Sequence, residues 1–557
     1  FSLFSRPLEE FSPLMVFARR STTLLAAIIA SCAMVLSLTA CTSDNKTAVD
    51  GQTTVTSNSA GGVAVFTPSD GITLNQQTPL NKWAKLVPDL AKALADAGFK
   101  KGDIDHTTSD SLAKQSRAIQ DFVVDHLSNN TTDDSGIAIA PDNMTLLVAP
   151  VVEADASTRQ YGDYISQNLS TNDATDEGAT SDGESSKDDS SKDDSSNTES
   201  DSTASDEQAQ AVDRLVSSLK LAKESGMHVV LLGNSIEGYK PDAFVKFSDA
   251  QTIGKLQAEK MVSKLKLDKA SKDNPKYIEV LLPYTAVDEK GNANDSAFAQ
   301  EAFRGIWQVL GSYYQKGVVE SPSGTLDGKS TENDWQAVAY DAAEEGSTAK
   351  VLDKRLAKTD GQSTLTRIDG IITMNDYIAS EVVKELDDLG YTGSAADINP
   401  QITISGIVGN ITGKKDLSRD AVPDPIKSPE NDNANDSSSS DDDADEDTSA
   451  SDKDRDSQWP LVTGYGAYVS NIPSIVNGKQ WMTGMEDRQT IATDIAQACA
   501  KLNKDEALNS MPSIRNSEVG GVKKIPTISE PLLAVSASNL KSALIDPGYI
   551  SLAGSGL

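Results

Sequence analysis

The sequence predicts an α/β protein of two lobes, and three features predict it. Short β-branched apolar runs alternate with amphipathic stretches of helical period. The alternation comes in two successive series, and the polar runs that interrupt it hold almost no large apolar residue. Strands separated by helices must be joined by crossovers, which makes the sheets parallel.

The elements follow in order. Residues 62–67 form a strand, and an amphipathic helix over 83–97 is closed by Gly98. Leu112, Ile119, Phe122 and Val123 share one face of a helix over 111–126, and 144–152 is a buried strand. A helix over 212–225 precedes a strand at 228–232. The second series has helix 255–265, strand 277–282, helix 298–313, strand 368–373 and helix 378–389, the last stopped by Gly390.

The chain has 557 residues, 50 Lys and Arg against 83 Asp and Glu, for a net charge of −33. Residues 173–207 contribute −11 and residues 430–456 contribute −10. These runs cannot offset their ordering entropy by burial and are expected to be disordered insertions. They lack the fixed glycine and terminal glutamate of an EF-hand loop, so selective calcium binding is not expected. Deleting both should leave stability nearly unchanged. Nothing supplies the basic face that phosphate neutralisation requires, which excludes nucleic acid as a partner.

The first forty residues read as an export signal. Arg19 and Arg20 precede an apolar run over 22–38, too short to span a bilayer comfortably, ending in Leu38-Thr39-Ala40-Cys41. That ending resembles the bacterial lipobox, which implies cleavage before an acylated Cys41 and a polar tether over 41–61. The alternative is a soluble secretory signal with a chance cysteine. Residues 1–16 read as upstream sequence or an extended n-region. With Cys32 removed and Cys41 acylated, only Cys499 remains, so neither a disulfide nor a cysteine-pair zinc site can form. His106, His126 and His228 lack ligand spacing, and no metal or cofactor is expected.

Four further segments resemble one family, the type I sugar-binding proteins of ABC importers, in its xylose and multiple-sugar branch. They are Asp249-Ala-Gln-Thr-Ile-Gly-Lys-Leu-Gln-Ala258, Met374-Asn375-Asp376, Asn477-Gly-Lys-Gln-Trp-Met-Thr-Gly-Met-Glu-Asp-Arg488, and Lys523-Lys-Ile-Pro-Thr-Ile-Ser-Glu-Pro-Leu-Leu533 with Asn539, Leu544, Gly548 and Tyr549. The resemblance implies a type I periplasmic-binding-protein fold, each lobe a parallel sheet flanked by helices, with a sugar held where the lobes close. It places lobe 1 at 62–247 with an insertion at 170–208, and lobe 2 at 248–485 with an insertion at 398–458. Residues 486–557 return to lobe 1 and form a tail.

The binding residues it implies are Trp83, Asn234, Asp249, Asn294, Asp295, Asn375, Asp376, Tyr465 and Glu486. The chain departs from the family at this pocket. It has Gly233-Asn234 in place of Asp-Arg, Ala250 in place of Asn, Gly466 in place of a contacting Asp, and Glu486 where Lys is common. Plainer readings stand beside these assignments. Asn375-Asp376 reads equally as a helix N-cap, Trp83 as helix core, Asn294 and Asp295 as a solvated loop, and Tyr465 and Trp481 as packing.

No Gly-x-Ser-x-Gly elbow, Walker loop or His-Glu-x-x-His is present, and the expectation is a binding protein, not an enzyme. The expected function is a monomeric, lipid-anchored receptor on the outer face of the cell membrane, delivering a saccharide to ABC permease subunits. The alternative is a receptor-like lipoprotein that has lost monosaccharide binding and acts in sensing or surface interaction.

Overall fold

A computed structural model describes residues 60–69, 79–129, 139–152, 158–171, 199–285, 296–358, 364–395 and 456–553. Cys41, Asn294, Asp295, the acidic run 430–456 apart from Asp456, and residues 173–198 lie outside these.

Two sheets organise the chain. The first runs Ile514–Val519, Val522–Ile528, Ala243–Val245, His228–Leu232, Met144–Val148, Gly62–Pro68, Ile104–Ser109. Its neighbours are parallel except for the antiparallel hairpin of the first two strands. The second runs Val319–Glu320, Lys276–Val280, Gly370–Ile372, Leu461–Val462, all parallel. Numbering each lobe's parallel strands in chain order gives 2-1-3-4-5-6 for the first and 2-1-3-4 for the second. Both are doubly wound orders that reverse direction between strands 1 and 3, and such a switch point opens a crevice at the strands' carboxyl ends.

Strand alternation sends side chains to opposite faces of the first sheet. Val63, Val65, Leu147, Val230 and Leu232 pack against Leu86 and Leu90 of the helix Trp83–Asp96 and Ile491 and Ile495 of the helix Arg488–Leu502. Ala64, Phe66, Leu146, Val148 and Leu231 meet Ile119 and Val123 of the helix Leu112–Asn129 and Leu215 and Leu219 of the helix Glu199–Glu224. In the second lobe Ile278, Val280 and Ile371 are buried with the helices Ala250–Lys264, Ala297–Gln315 and Asp376–Leu389. The strand Leu533–Ser536 pairs antiparallel with Met482–Met485, and Leu540 and Leu544 then pack on Ile472 and Ile475.

Helices Ala250–Lys264 and Ala297–Gln315 touch backbone to backbone. A Cβ on Gly254 would lie 2.3 Å from the Ala302 carbonyl oxygen, and one on Gly305 would lie 2.0 Å from that of Gln251. Only glycine permits this approach, and it sets the spacing of the two helix N-termini.

Three sequence expectations are corrected. The acidic run 173–207 was expected to be disordered throughout, yet the helix Glu199–Glu224 includes its last nine residues. Extending an established helix gains one hydrogen bond per residue fixed, so the amphipathic part carries a polar N-terminal extension. The strand Ile104–Ser109 was not expected, because its middle residues are exposed on a sheet edge and carry no apolar signal. The hairpin Ile514–Val519 with Val522–Ile528 adds an antiparallel edge to a sheet expected to be wholly parallel.

Candidate functional site

The carboxyl ends of the second sheet form one wall of the inter-lobe cleft. After the strand Gly370–Ile372 the chain turns at Met374, whose φ is +69°. Asn375 then caps the next helix, its Oδ1 accepting from the Ile378 amide at 2.9 Å. The Asn375 Nδ2 donates across the cleft to Gln160 Oε1 at 3.0 Å.

Asp376 is fully buried. Its Oδ1 accepts from Gln480 Nε2 at 2.8 Å, and its Oδ2 from Thr483 Oγ1 and the Tyr468 amide, both at 2.9 Å. Burial pushes its carboxyl up to about 6 against the pull of those donors. Gly464 faces the carboxylate where a Cβ would stand 2.2 Å from Oδ1. The carboxylate therefore bonds within its own lobe, and the sequence expectation that it meets a solute is not what the geometry displays.

Tyr465 and Glu486 meet where the chain crosses between lobes. The Tyr465 hydroxyl accepts from Asn81 Nδ2 at 3.0 Å and lies 2.5 Å from Ser248 Oγ. Glu486 Oε1 accepts from the Ser248 amide at 2.5 Å. Burial pushes the Glu486 carboxyl up to about 7, and burial with the neighbouring Glu486 raises the Tyr465 phenol. Asp249 caps the helix Ala250–Lys264, accepting from the Thr252 amide at 2.7 Å and pairing with Lys246 at 2.9 Å. Burial raises its carboxyl, but those partners outweigh it and leave the group below its ordinary value.

On the first lobe, Trp83 is buried edge-on against Tyr164 and Phe247, with centroids 5.0 and 5.7 Å away. Asn234 is buried as well, its Oδ1 accepting from the Gln167 amide at 3.0 Å and its Nδ2 donating to the Pro150 carbonyl at 2.9 Å. Both hold the segment that follows residue 158. Gly466, with φ +116°, could not regain a side chain, since a Cβ would lie 2.9 Å from the Tyr468 ring.

Beside this filled centre lies a cavity of about 440 Å³ lined by Ser166, Gln167 and Asn168 of the first lobe, Asp249 at the crossing, and Phe298 and Glu301 of the second. The Ser166 hydroxyl oxygen is buried without a hydrogen-bond partner among the described residues. Glu301 pairs with Arg304. Amides, a hydroxyl, carboxylates and one aromatic ring suit a neutral polyhydroxylated ligand, whose hydroxyls need donors and acceptors and whose ring faces are apolar.

Of the sequence-predicted residues that the structure describes, only Asp249 lines this cavity. Tyr465 and Glu486 are brought together, Asn375 reaches across the cleft to Gln160 while the adjacent Asp376 bonds within its own lobe, and Trp83 and Asn234 stand behind the first-lobe wall. Gln167, Phe298 and Glu301 escaped the sequence reading. The aromatic-rich Arg159-Gln-Tyr-Gly-Asp-Tyr164, following a strand end, was a readable signal that went unused.

The geometry defines an α/β protein of two similarly wound lobes with a solute-sized cavity where they meet. No family model matches the chain, and no curated protein matches it. Among solved structures it is similar to an ABC transporter solute-binding protein from Clostridium phytofermentans with bound β-D-glucose, at 17% identity over 88% of this chain and 99% of that one, with a TM-score of 0.43. A carbohydrate transporter solute-binding protein from Chloroflexus aurantiacus in complex with D-glucose gives 17%, 89%, 98% and 0.42 in the same terms. A sugar ABC transporter from Actinomyces odontolyticus gives 9%, 87%, 97% and 0.43. Scores of this size record a likeness and assign nothing.

Proposed function

We propose that this chain is a type I periplasmic-binding-protein-like receptor that takes a saccharide between its lobes and presents it to the permease of an ABC importer. The observation that carries this reading is the cavity: residues of both lobes and of the crossing line it. A ligand touching both lobes stabilises the closed arrangement by its differential affinity, which is the signal a permease can read. No reaction is required, and the lining groups serve recognition. The lipobox-like Leu38-Thr39-Ala40-Cys41 supports anchoring through a diacylated Cys41 on the outer face of the cell membrane, where two acyl chains suffice for stable attachment. No helix among the described residues is long and apolar enough to cross a membrane.

The test is calorimetry with xylose, glucose, galactose, arabinose and short oligosaccharides on the wild type and on Gln167→Ala. Binding that weakens several-fold in the variant supports the reading. Mass spectrometry of the native N-terminus, with Cys41→Ser as control, tests the anchor.

One observation favours a second reading, a receptor-like lipoprotein without monosaccharide binding. The polar groups that the family resemblance assigns to the sugar, above all Asp376, bond to the protein itself. If no saccharide binds the wild type at millimolar concentration, this reading replaces the first.

A further inference from the structure

The segment 158–166 belongs to the first lobe, and its residues Gln160 and Tyr161 cross the cleft to the second. Its root is fixed on the first lobe. The Asp163 amide donates to the Asn81 carbonyl at 2.8 Å, and the Asp163 carboxylate receives Lys82 Nζ at 3.0 Å and the Trp83 amide at 3.2 Å. The Tyr164 hydroxyl donates to the Lys82 carbonyl at 2.5 Å. Gly162, φ +97°, passes so close that a Cβ would lie 2.6 Å from the Asn81 carbonyl oxygen, so only glycine fits the bend.

Its tip is held by the other lobe. Tyr161 is 1% exposed and belongs to the second lobe's apolar core, its ring centroid 4.7 Å from that of Phe298 and 6.2 Å from that of Tyr465. Gln160 accepts twice, from the Tyr468 hydroxyl on its carbonyl at 2.7 Å and from Asn375 Nδ2 on its side chain at 3.0 Å. The Tyr161 hydroxyl faces the Asn375 amide without forming a well-made hydrogen bond, so it is the ring that holds.

We infer that segment 158–166 is a built-in occupant of the cleft, with Tyr161 as its plug and Gln160 as its polar clasp, which keeps the two lobes closed in the absence of solute. An apolar face with hydrogen-bonding groups beside it is the chemistry a bound solute would present, and here the chain supplies it. A solute binds beside the plug, in the cavity that Ser166 and Phe298 line, or displaces it. The inference concerns lobe closure and stands whichever solute the cavity takes.

Small-angle scattering of the intact chain tests this, with no ligand added. The wild type and Tyr161→Phe should share one compact profile, because the ring is retained. Tyr161→Ala should shift to a larger radius of gyration, as should the double variant Gln160→Ala/Tyr468→Phe, which removes the clasp and leaves every ring in place. A folded Tyr161→Ala, judged by circular dichroism, with an unchanged profile overturns the inference, as does an expanded Tyr161→Phe. If Tyr161→Ala does not fold, the double variant decides, and an unchanged profile there overturns it. Solute titration is a separate arm: failure of every saccharide to bind removes the saccharide reading and leaves the closure result standing.

Discussion

The Asn375 side chain works in two directions: its oxygen caps its own helix at the Ile378 amide, and its nitrogen reaches Gln160 of the other lobe at 3.0 Å. One residue thus couples the start of a second-lobe helix to the position of a first-lobe loop. A capping bond lost to alanine costs about 1 kcal/mol. Asn375→Ser keeps a capping oxygen and loses the reaching amide donor, so it should preserve the melting temperature better than Asn375→Ala. In both variants the amides of segment 158–166 should exchange faster with solvent, which hydrogen exchange by mass spectrometry reads.

Asp376 should prove to be a stability residue. Asp376→Ala removes the acceptor that Gln480, Thr483 and the Tyr468 amide share, and a buried donor left without a partner costs about 1–3 kcal/mol. Chemical denaturation should show a loss on the order of 3 kcal/mol. An unchanged midpoint would return Asp376 to the role of a free ligand anchor.

Glu486 gives the protein a pH dependence of known sign. Burial pushes its carboxyl up to about 7 in the folded chain against an ordinary value of 4.5. Between those values the folded state binds more protons than the unfolded one, so stability falls as pH rises through the window. Asp376, at about 6 against 3.8, acts in the same sense. His106 and His126 oppose it: burial lowers both, so their contribution is lost as pH falls through 6.5. The difference between wild type and Glu486→Gln isolates the carboxyl. Melting curves from pH 5 to 8 should show the variant declining less steeply, by up to about 3 kcal/mol over the window.

Asn234→Arg, which brings back the family's cation, should destabilise the protein without restoring aldose affinity. Asn234 is 2% exposed and bonded to the Pro150 carbonyl and the Gln167 amide, so a guanidinium there would be a buried charge among neutral groups. Losses of this kind run to about 3 kcal/mol or more. Thermal unfolding and a glucose titration on the same sample check both halves.

Gly305→Ala should push apart the helices Ala250–Lys264 and Ala297–Gln315, since its Cβ would overlap the Gln251 carbonyl. Overpacking of this sort costs about 1–3 kcal/mol. Gln251 and Phe298 line the cavity from the ends of those helices. A lowered melting temperature with weakened saccharide binding is therefore expected, whereas an exposed helical change such as Lys260→Ala should alter neither.

Local sequence determined the elements because the forces that form them are local. The helix Trp83–Asp96 follows from the period of Trp83, Leu86, Leu90 and Leu94, and the strand His228–Leu232 from the four apolar residues that follow His228. The N-cap at Asn375 was likewise readable from residue type. Weakly apolar edges such as Ile104–Ser109 were not, because their pairing is supplied by a neighbour 41 residues away. The site resisted sequence reading for the same reason. Whether Asp376 meets a solute or Gln480 depends on where a loop a hundred residues later passes, and whether the cleft is open depends on Tyr161 crossing from the other lobe. Residue type sets what a side chain can bond to; only the packed chain decides which partner reaches it first, because desolvation makes a buried polar group without a partner costly.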